Sequence, residues 1–289
     1  MKRIVAFLLL FSMISGLLWG CNEPTRVPVD SSSEQTTNSD TVSTEVTDQS
    51  TATDSEEKKD PSKLGKKTIV FFGDSVTEGY FEIKYNAAGT SMTSVKDTKA
   101  VYHNLLKERI SAEYPDLDVE YINAGIGGTA SPHGIKRIQT DVLDYNPDIV
   151  VVCFGLNDIP AMTISNYVNT MEQIFAVLQS KSIHVIYLTP NMYNTYRHED
   201  VGKMHFDMAD QLAALQNANK PDLYYDACKK MAEKRGVVVV DAYSEWKKLS
   251  SYGIDVTELL SNHLNHPTRE MHKLFADMLY DDVVEMLFS

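Results

Sequence analysis

Four short segments of this chain carry groups able to attack, deprotonate or polarise a carbonyl. Gly73-Asp74-Ser75-Val76 offers a hydroxyl that becomes nucleophilic once a base takes its proton. Taken alone, a Gly-Asp-Ser triplet reads more often as a turn than as a site. Asn123-Ala124-Gly125-Ile126-Gly127-Gly128-Thr129 holds three glycines, which allow sharp turns and close approach of main-chain N–H groups to a ligand. Such donors stabilise a developing oxyanion. A phosphate-binding loop is the competing reading, but the lysine and Ser/Thr ending it requires are missing. Gly155-Leu156-Asn157-Asp158 adds a side-chain amide donor at Asn157, or alternatively a turn or cap, and Asp158 reads as a residue that holds the loop. In Asn262-His263-Leu264-Asn265-His266-Pro267, Pro267 suits the first turn of a helix and keeps His266 near its start. From there the Nε2 of His266 can accept the serine proton. His103, His184, His198, His205 and His272 fall in helical, strand or polar loop contexts and need no function. His198, Asp200 and His205 lack a recognised ligand spacing, so neither a metal nor a cofactor is expected.

These segments need elements to position them. Residues 68–72, 118–122, 148–154, 183–188 and 237–241 are short apolar runs without polar alternation, as strands covered on both faces require. Apolar residues three to four apart separate the runs. Val101, Leu105, Leu106 and Ile110 form one stripe, Ile135, Ile138 and Val142 another, and Tyr167, Met171, Ile174, Phe175 and Leu178 a third. Residues 203–235 predict one or two helices broken near Pro221, and a last helix starts at about Thr268. The expected fold is a three-layer α/β/α sandwich on a mostly parallel five-stranded sheet, flavodoxin-like in type. Sites in such sheets collect beyond the C-terminal ends of the strands, where all four segments fall.

The rest of the chain sets the compartment. Lys2 and Arg3 precede an apolar run, so residues 1–20 read as an export signal. Leu18-Trp19-Gly20-Cys21 resembles the bacterial lipoprotein signal, in which the cysteine is lipidated and becomes the new N-terminus. Membrane anchoring through Cys21 at the extracellular face is therefore expected. Residues 21–65 are rich in Ser, Thr, Asp and Glu, and predict a disordered tether that holds a domain at 66–289 clear of the envelope. The formal net charge of -13 argues against nucleic acid as a partner. A disulfide between Cys153 and Cys228 stays open, although Cys153 lies in an apolar run that favours a buried thiol.

The four segments, in this order and each after its expected element, resemble the SGNH (GDSL-like) hydrolase superfamily over nearly the whole domain. The resemblance implies a serine esterase. Ser75 would be its nucleophile, the Gly128 N–H and the Asn157 side chain oxyanion donors, and His266 the general base. The Ser75 N–H is the expected third donor. The family commonly carries an aspartate three residues before the catalytic histidine, where this chain has His263. Three substitutes stay open for orienting His266: a backbone carbonyl, giving a Ser–His dyad, which is favoured; Asn262 or Asn265; or a carboxylate such as Asp255 or Glu258.

The resemblance also implies an O-acylated carbohydrate or another small ester as substrate, with short-chain, acetyl esters favoured. A lipid esterase, lysophospholipase or thioesterase, an acyltransferase, and a non-catalytic carbohydrate-binding protein are the alternatives. Residues 81–99 and 190–206 are expected as loops shaping the pocket. Tyr80, Phe81, Tyr85, Tyr193, Tyr196 and Trp246 are candidates for a platform under sugar rings, or for core and rim packing.

Overall fold

The computed structural model describes residues 64–289. The expected export signal, Cys21 and the tether up to residue 63 lie outside the described residues. In chain order, β1 (Lys67–Gly73) runs into the single-turn helix α1 (Ser75–Glu78), then β2 (Tyr80–Tyr85), β3 (Met92–Lys96) and α2 (Tyr102–Glu113). Next come β4 (Val119–Gly125), α3 (Ser131–Asp141), β5 (Ile149–Cys153), α4 (Ile164–Gln179) and β6 (His184–Leu188). The chain continues through α5 (Phe206–Asn217), α6 (Lys220–Lys234), β7 (Val238–Val240), α7 (Ala242–Ser251) and α8 (Arg269–Leu287).

The five apolar runs form one sheet in the order β4-β1-β5-β6-β7, with every neighbouring pair parallel. Parallel neighbours need crossover helices, which cover both faces and explain why the central strands carry no polar alternation. All of β5 and Ile69–Phe72 of β1 are buried. Helices α2 and α8 pack on each other, while α3 packs on α4 and α4 on α6, which gives the three layers. Burying each large apolar side chain in these layers stabilises the fold by roughly 1.5–3 kcal/mol.

The sheet order has a functional consequence. From β1 the chain crosses to β4 on one side, and then returns to β5 on the other. The crevice beyond β1 and β5 is therefore the topological switch point, where side chains from two diverging connections can converge. Register brings the strand ends level, since Gly73 pairs with Gly125 on one side and with Cys153 on the other. Helix α1 lies against the end of β4 so closely that a Cβ at Gly125 would stand 2.3 Å from the Glu78 nitrogen. Only glycine fits there.

Two elements depart from expectation. Residues 81–99 are not simply a loop, because β2 and β3 pair as an antiparallel hairpin outside the main sheet. Helix α7 follows the last strand where no helix was expected; its N-cap Asp241 accepts from the Ser244 N–H, and its Trp246 is fully buried. The segment 203–235 resolves into two helices, with Asn219 in the left-handed region between them and Pro221 in the first turn of α6. Cys153 and Cys228 are both buried free thiols, so no disulfide joins them.

Candidate active site

Ser75 is the first residue of α1, and its N–H therefore has no intrahelical acceptor. Asp74 caps this helix by accepting the Val76 N–H at 3.0 Å. The cap turns the chain sharply out of β1 and leaves the Ser75 hydroxyl at the strand end. The Nε2 of His266 lies 3.0 Å from Ser75 Oγ, across 191 residues of sequence. The Nδ1 of the same ring lies 3.0 Å from the Phe81 carbonyl oxygen. A carbonyl can only accept, so Nδ1 carries the proton of the neutral ring and Nε2 is free to accept from Ser75.

The orienting partner is thus a backbone carbonyl of β2. Asn262 is held otherwise: its Oδ1 accepts the N–H groups of Leu264, Asn265 and His266, at 3.0, 2.9 and 2.9 Å. Three donors on one buried oxygen shape the turn that presents His266. Asn265 is tied to the same turn, accepting from Asn262 Nδ2 at 3.1 Å. Asp255 and Glu258 accept from the Tyr196 hydroxyl instead. His263 stands at φ 54°, with its Nδ1 donating to the Thr257 carbonyl at 3.4 Å.

Burial pushes His266 down from its ordinary value to about 4, and the Phe81 carbonyl offsets this only in part. The ring is consequently neutral, and competent as a base, throughout the neutral range. Asp74 moves the other way, pushed up to about 7 by burial, with the Val76 N–H opposing the shift and the nearby Asp158 carboxylate adding to it.

Gly128 has φ +72° and open space at its missing Cβ, so glycine is required there by backbone conformation rather than by crowding. The preceding Gly127 N–H donates to Glu78 Oε2 at 2.5 Å, and Lys96 of β3 pairs with the other oxygen of Glu78 at 2.7 Å. This pins the glycine loop to α1. Asn157 Nδ2 donates to Asp74 Oδ2 at 3.3 Å and to the Thr129 carbonyl at 3.1 Å. Asn157 therefore bridges the residue before Ser75 and the residue after Gly128. Asp158 holds its loop as expected, accepting from the N–H and hydroxyl of Ser131 at 2.9 and 2.5 Å.

Several supporting residues escaped sequence reasoning. Arg137 donates to the carbonyls of Ala124 and Gly73, at 2.7 and 2.8 Å, tying the ends of β4 and β1 together. Arg269 binds Asp97 at 2.9 Å and also pairs with Glu82, with its guanidinium 4.5 Å from the Phe81 ring centre. It thereby fastens the hairpin to the start of α8. Among the platform candidates, Phe81, Tyr193 and Trp246 are fully buried core residues. Tyr193 donates to the Leu156 carbonyl at 2.6 Å and so supports the Asn157 loop from beneath. Tyr85 bonds His205, and Tyr196 bonds the acidic pair described above. Tyr80 lies beside the His266 ring, with centroids 6.4 Å apart. Of the three residues His198, Asp200 and His205, the structure brings only the first two together. His205 turns to Tyr85, but His198 and Asp200 meet His263, with donor atoms all within 4.8 Å of one another.

A model of the GDSL-like lipase/acylhydrolase family matches residues 71–274. An uncharacterized lipoprotein of Bacillus subtilis strain 168, YqeF, is 36% identical over 101 residues, covering 34% of this chain and 35% of that protein. The chain thus spans about a third of the length of that curated relative. Among solved structures, an acetyl xylan esterase, AlAXEase, aligns over 75% of this chain and 99% of its own, at 22% identity and a TM-score of 0.55. A lipase/acylhydrolase from Enterococcus faecalis aligns over 75% and 95%, at 22% identity and a TM-score of 0.57. A two-domain esterase active on acetylated mannans aligns over 78% of this chain and 50% of its own, at 22% identity and a TM-score of 0.54. At these identities the solved structures establish a common fold, and the family match, which takes in most of the chain, establishes kinship: the chain belongs to the GDSL-like lipase/acylhydrolase family.

Proposed function

We propose that the chain is a carboxylic ester hydrolase that removes short acyl groups, acetyl above all, from O-acylated carbohydrate through an acyl-enzyme on Ser75. The observation that carries this reading is the Ser75–His266 contact of 3.0 Å, with the opposite ring nitrogen committed to the Phe81 carbonyl. His266 takes the Ser75 proton as Oγ attacks the ester carbonyl. The N–H groups of Ser75 and Gly128 and the amide of Asn157 receive the oxyanion, with Asn157 exchanging its bond to Thr129 for the new charge. Protonated His266 then gives its proton to the departing alcohol. Water, deprotonated by the same nitrogen, attacks the acyl-enzyme carbonyl and releases the acid.

Support for a carbohydrate ester comes from two relatives of the same fold, an acetyl xylan esterase and an esterase active on acetylated mannans. The Tyr80 ring, next to that of His266, is the platform candidate that supports a sugar contact near the proposed nucleophile. We further propose that Cys21 is lipidated and anchors the protein at the extracellular face of the membrane; the lipoprotein relative supports this. No helix among the described residues is long and apolar enough to cross a membrane.

A fluorophosphonate should label Ser75 stoichiometrically, and Ser75→Ala should abolish both labelling and acetate release from acetylated xylan or mannan. Well-folded protein that takes up no label removes the enzymatic reading in favour of a binding protein. Faster turnover of long-chain than of acetyl esters moves the substrate to lipids.

A further inference from the structure

Two imidazoles and a carboxylate meet at a place that ester hydrolysis does not use. The rings of His198 and His263 stack with centroids 3.8 Å apart and planes 17° from parallel. Asp200 Oδ2 lies 3.6 Å from His198 Nδ1 and 3.8 Å from His263 Nε2. The outward nitrogen of each ring is already committed. His198 Nε2 faces Glu258 Oε1 at 3.1 Å, and His263 Nδ1 faces the Thr257 carbonyl at 3.4 Å. Carbonyl and carboxylate oxygens only accept, so both outward nitrogens carry protons. With one proton per ring the inward nitrogens hold lone pairs, and the Asp200 N–H donates to His198 Nδ1 at 3.2 Å.

That N–H occupies the His198 Nδ1 lone pair in the metal-free chain, so an ion must take its place. The His263 Nε2 lone pair and the Asp200 carboxylate, by contrast, face each other at 3.8 Å and repel unless a cation lies between them. An outer N–H given to a carboxylate or a carbonyl is also the tautomer that metal-binding histidines adopt. We propose that His198, Asp200 and His263 bind a divalent transition-metal ion of the zinc class. Imidazole nitrogens select such ions over calcium or magnesium, which take oxygen ligands. Bonds of about 2.1 Å set tetrahedral donors about 3.4 Å apart, so the two contacts with Asp200 need close by only a few tenths of an ångström. The two rings must fan apart at their inner edges, and binding therefore breaks their stack. Asp200 is largely exposed, which leaves the ion a path of entry and a position for water.

The site ties the segment after β6 to the turn that presents His266, three residues beyond His263. It does not supply the orienting group, which is the Phe81 carbonyl. The inference rests on the geometry of these three residues and is independent of the esterase reading.

The full chain, purified and stripped with EDTA, should take up one Zn2+ per chain in calorimetric titration. Co2+ alone should develop the strong visible absorption of a four-coordinate nitrogen and oxygen site. His198→Ala and His263→Asn should each lose saturable binding of both ions; asparagine tolerates the positive φ of position 263, so the second variant keeps the turn. Glu258→Gln, which weakens the outer partner of His198, should reduce affinity by about 10- to 100-fold. Circular dichroism and an unchanged urea midpoint in the metal-free state establish that each variant is folded. Wild-type chain that binds no zinc overturns the proposal, as does binding undiminished in both folded histidine variants. Ring C–H resonances showing both histidines protonated at neutral pH in the stripped chain, with zinc failing to displace the protons, overturn it as well.

Discussion

Hydrolysis by this chain should persist to lower pH than a histidine base ordinarily permits. Only the neutral His266 ring can accept the Ser75 proton, and free imidazole titrates near 6.5. Burial brings His266 down to about 4. A carboxylate at Nδ1 would favour the imidazolium and raise that value, whereas the acceptor here is the uncharged Phe81 carbonyl. At about pH 5.5 an unshifted histidine would be roughly nine-tenths protonated, and the rate about tenfold below its plateau. A ring that titrates at about 4 retains nearly the whole rate there. The assay is kcat/KM for a short-chain acyl ester between about pH 4 and pH 8, which reports the ionisations of the free enzyme. Exposure to acid must be brief, so that unfolding does not enter.

Asp74 is the group that could imitate a raised His266, because burial pushes it up to about 7 and it contacts Asn157. Asp74→Asn removes its ionisation while keeping an acceptor oxygen for the Val76 N–H. An inflection near 7 that vanishes in Asp74→Asn belongs to Asp74. An acid limb between about 6 and 7 that survives in Asp74→Asn would refute the reasoning, since it would mean that His266 is charged like an exposed histidine.

Other perturbations probe the same geometry. Asn157→Ala should lower kcat about 10²- to 10³-fold with the fold intact by circular dichroism, and unchanged turnover removes Asn157 from the oxyanion site. Arg269→Met frees the hairpin that bears the Phe81 carbonyl; kcat should fall about 10- to 100-fold with little change in KM, and Arg269→Lys should recover part of it. Acid should weaken the fold through buried histidines. His103 and His266 are pushed down to about 4 and His272 to about 3, so the unfolded chain binds more protons once the pH drops below about 6.5. Stability is then lost as pH falls toward the folded values, while the raised Asp74 works in the opposite sense between about 3.8 and about 7. The urea midpoint should be lower at about pH 5 than at about pH 7, and an unchanged midpoint contradicts neutral burial of these three rings.

What could be read from the sequence followed from how locally each feature is encoded. The main strands are continuous apolar runs because both faces of a parallel sheet are covered, and they stand out without tertiary knowledge. The hairpin escaped notice because β2 and β3 are short and flanked by Gly, Ser, Thr and Asn, and lie outside that sheet. Helix α7 did carry a usable signal. Ala242, Tyr243, Trp246 and Leu249 follow helical spacing behind a capping Asp241, but lysines and serines between them dilute it. Ser75, Asn157 and His266 were recognisable because side-chain identity is the signal. The orienting carbonyl of Phe81 was not, since every residue carries one and only the tertiary fold decides which is aimed.

That distinction explains how the chain dispenses with an aspartate three residues before His266. His263 occupies the left-handed region, and its side chain runs to Thr257 and His198 while the Nδ1 of His266 runs to β2. The two histidines of one short turn therefore serve opposite sides of it. Orientation passes to a hairpin that Arg269 anchors through Glu82 and Asp97. A carbonyl so held selects the same tautomer as a carboxylate would, but brings no negative charge to stabilise an imidazolium formed during attack. The arrangement exchanges transition-state charge stabilisation for a base that stays neutral in acid. On the proposed mechanism its effectiveness rests on the oxyanion donors: the Glu78 carboxylate holds the glycine loop, the Thr129 carbonyl holds the Asn157 amide, and the Tyr193 hydroxyl holds the Leu156 carbonyl next to it.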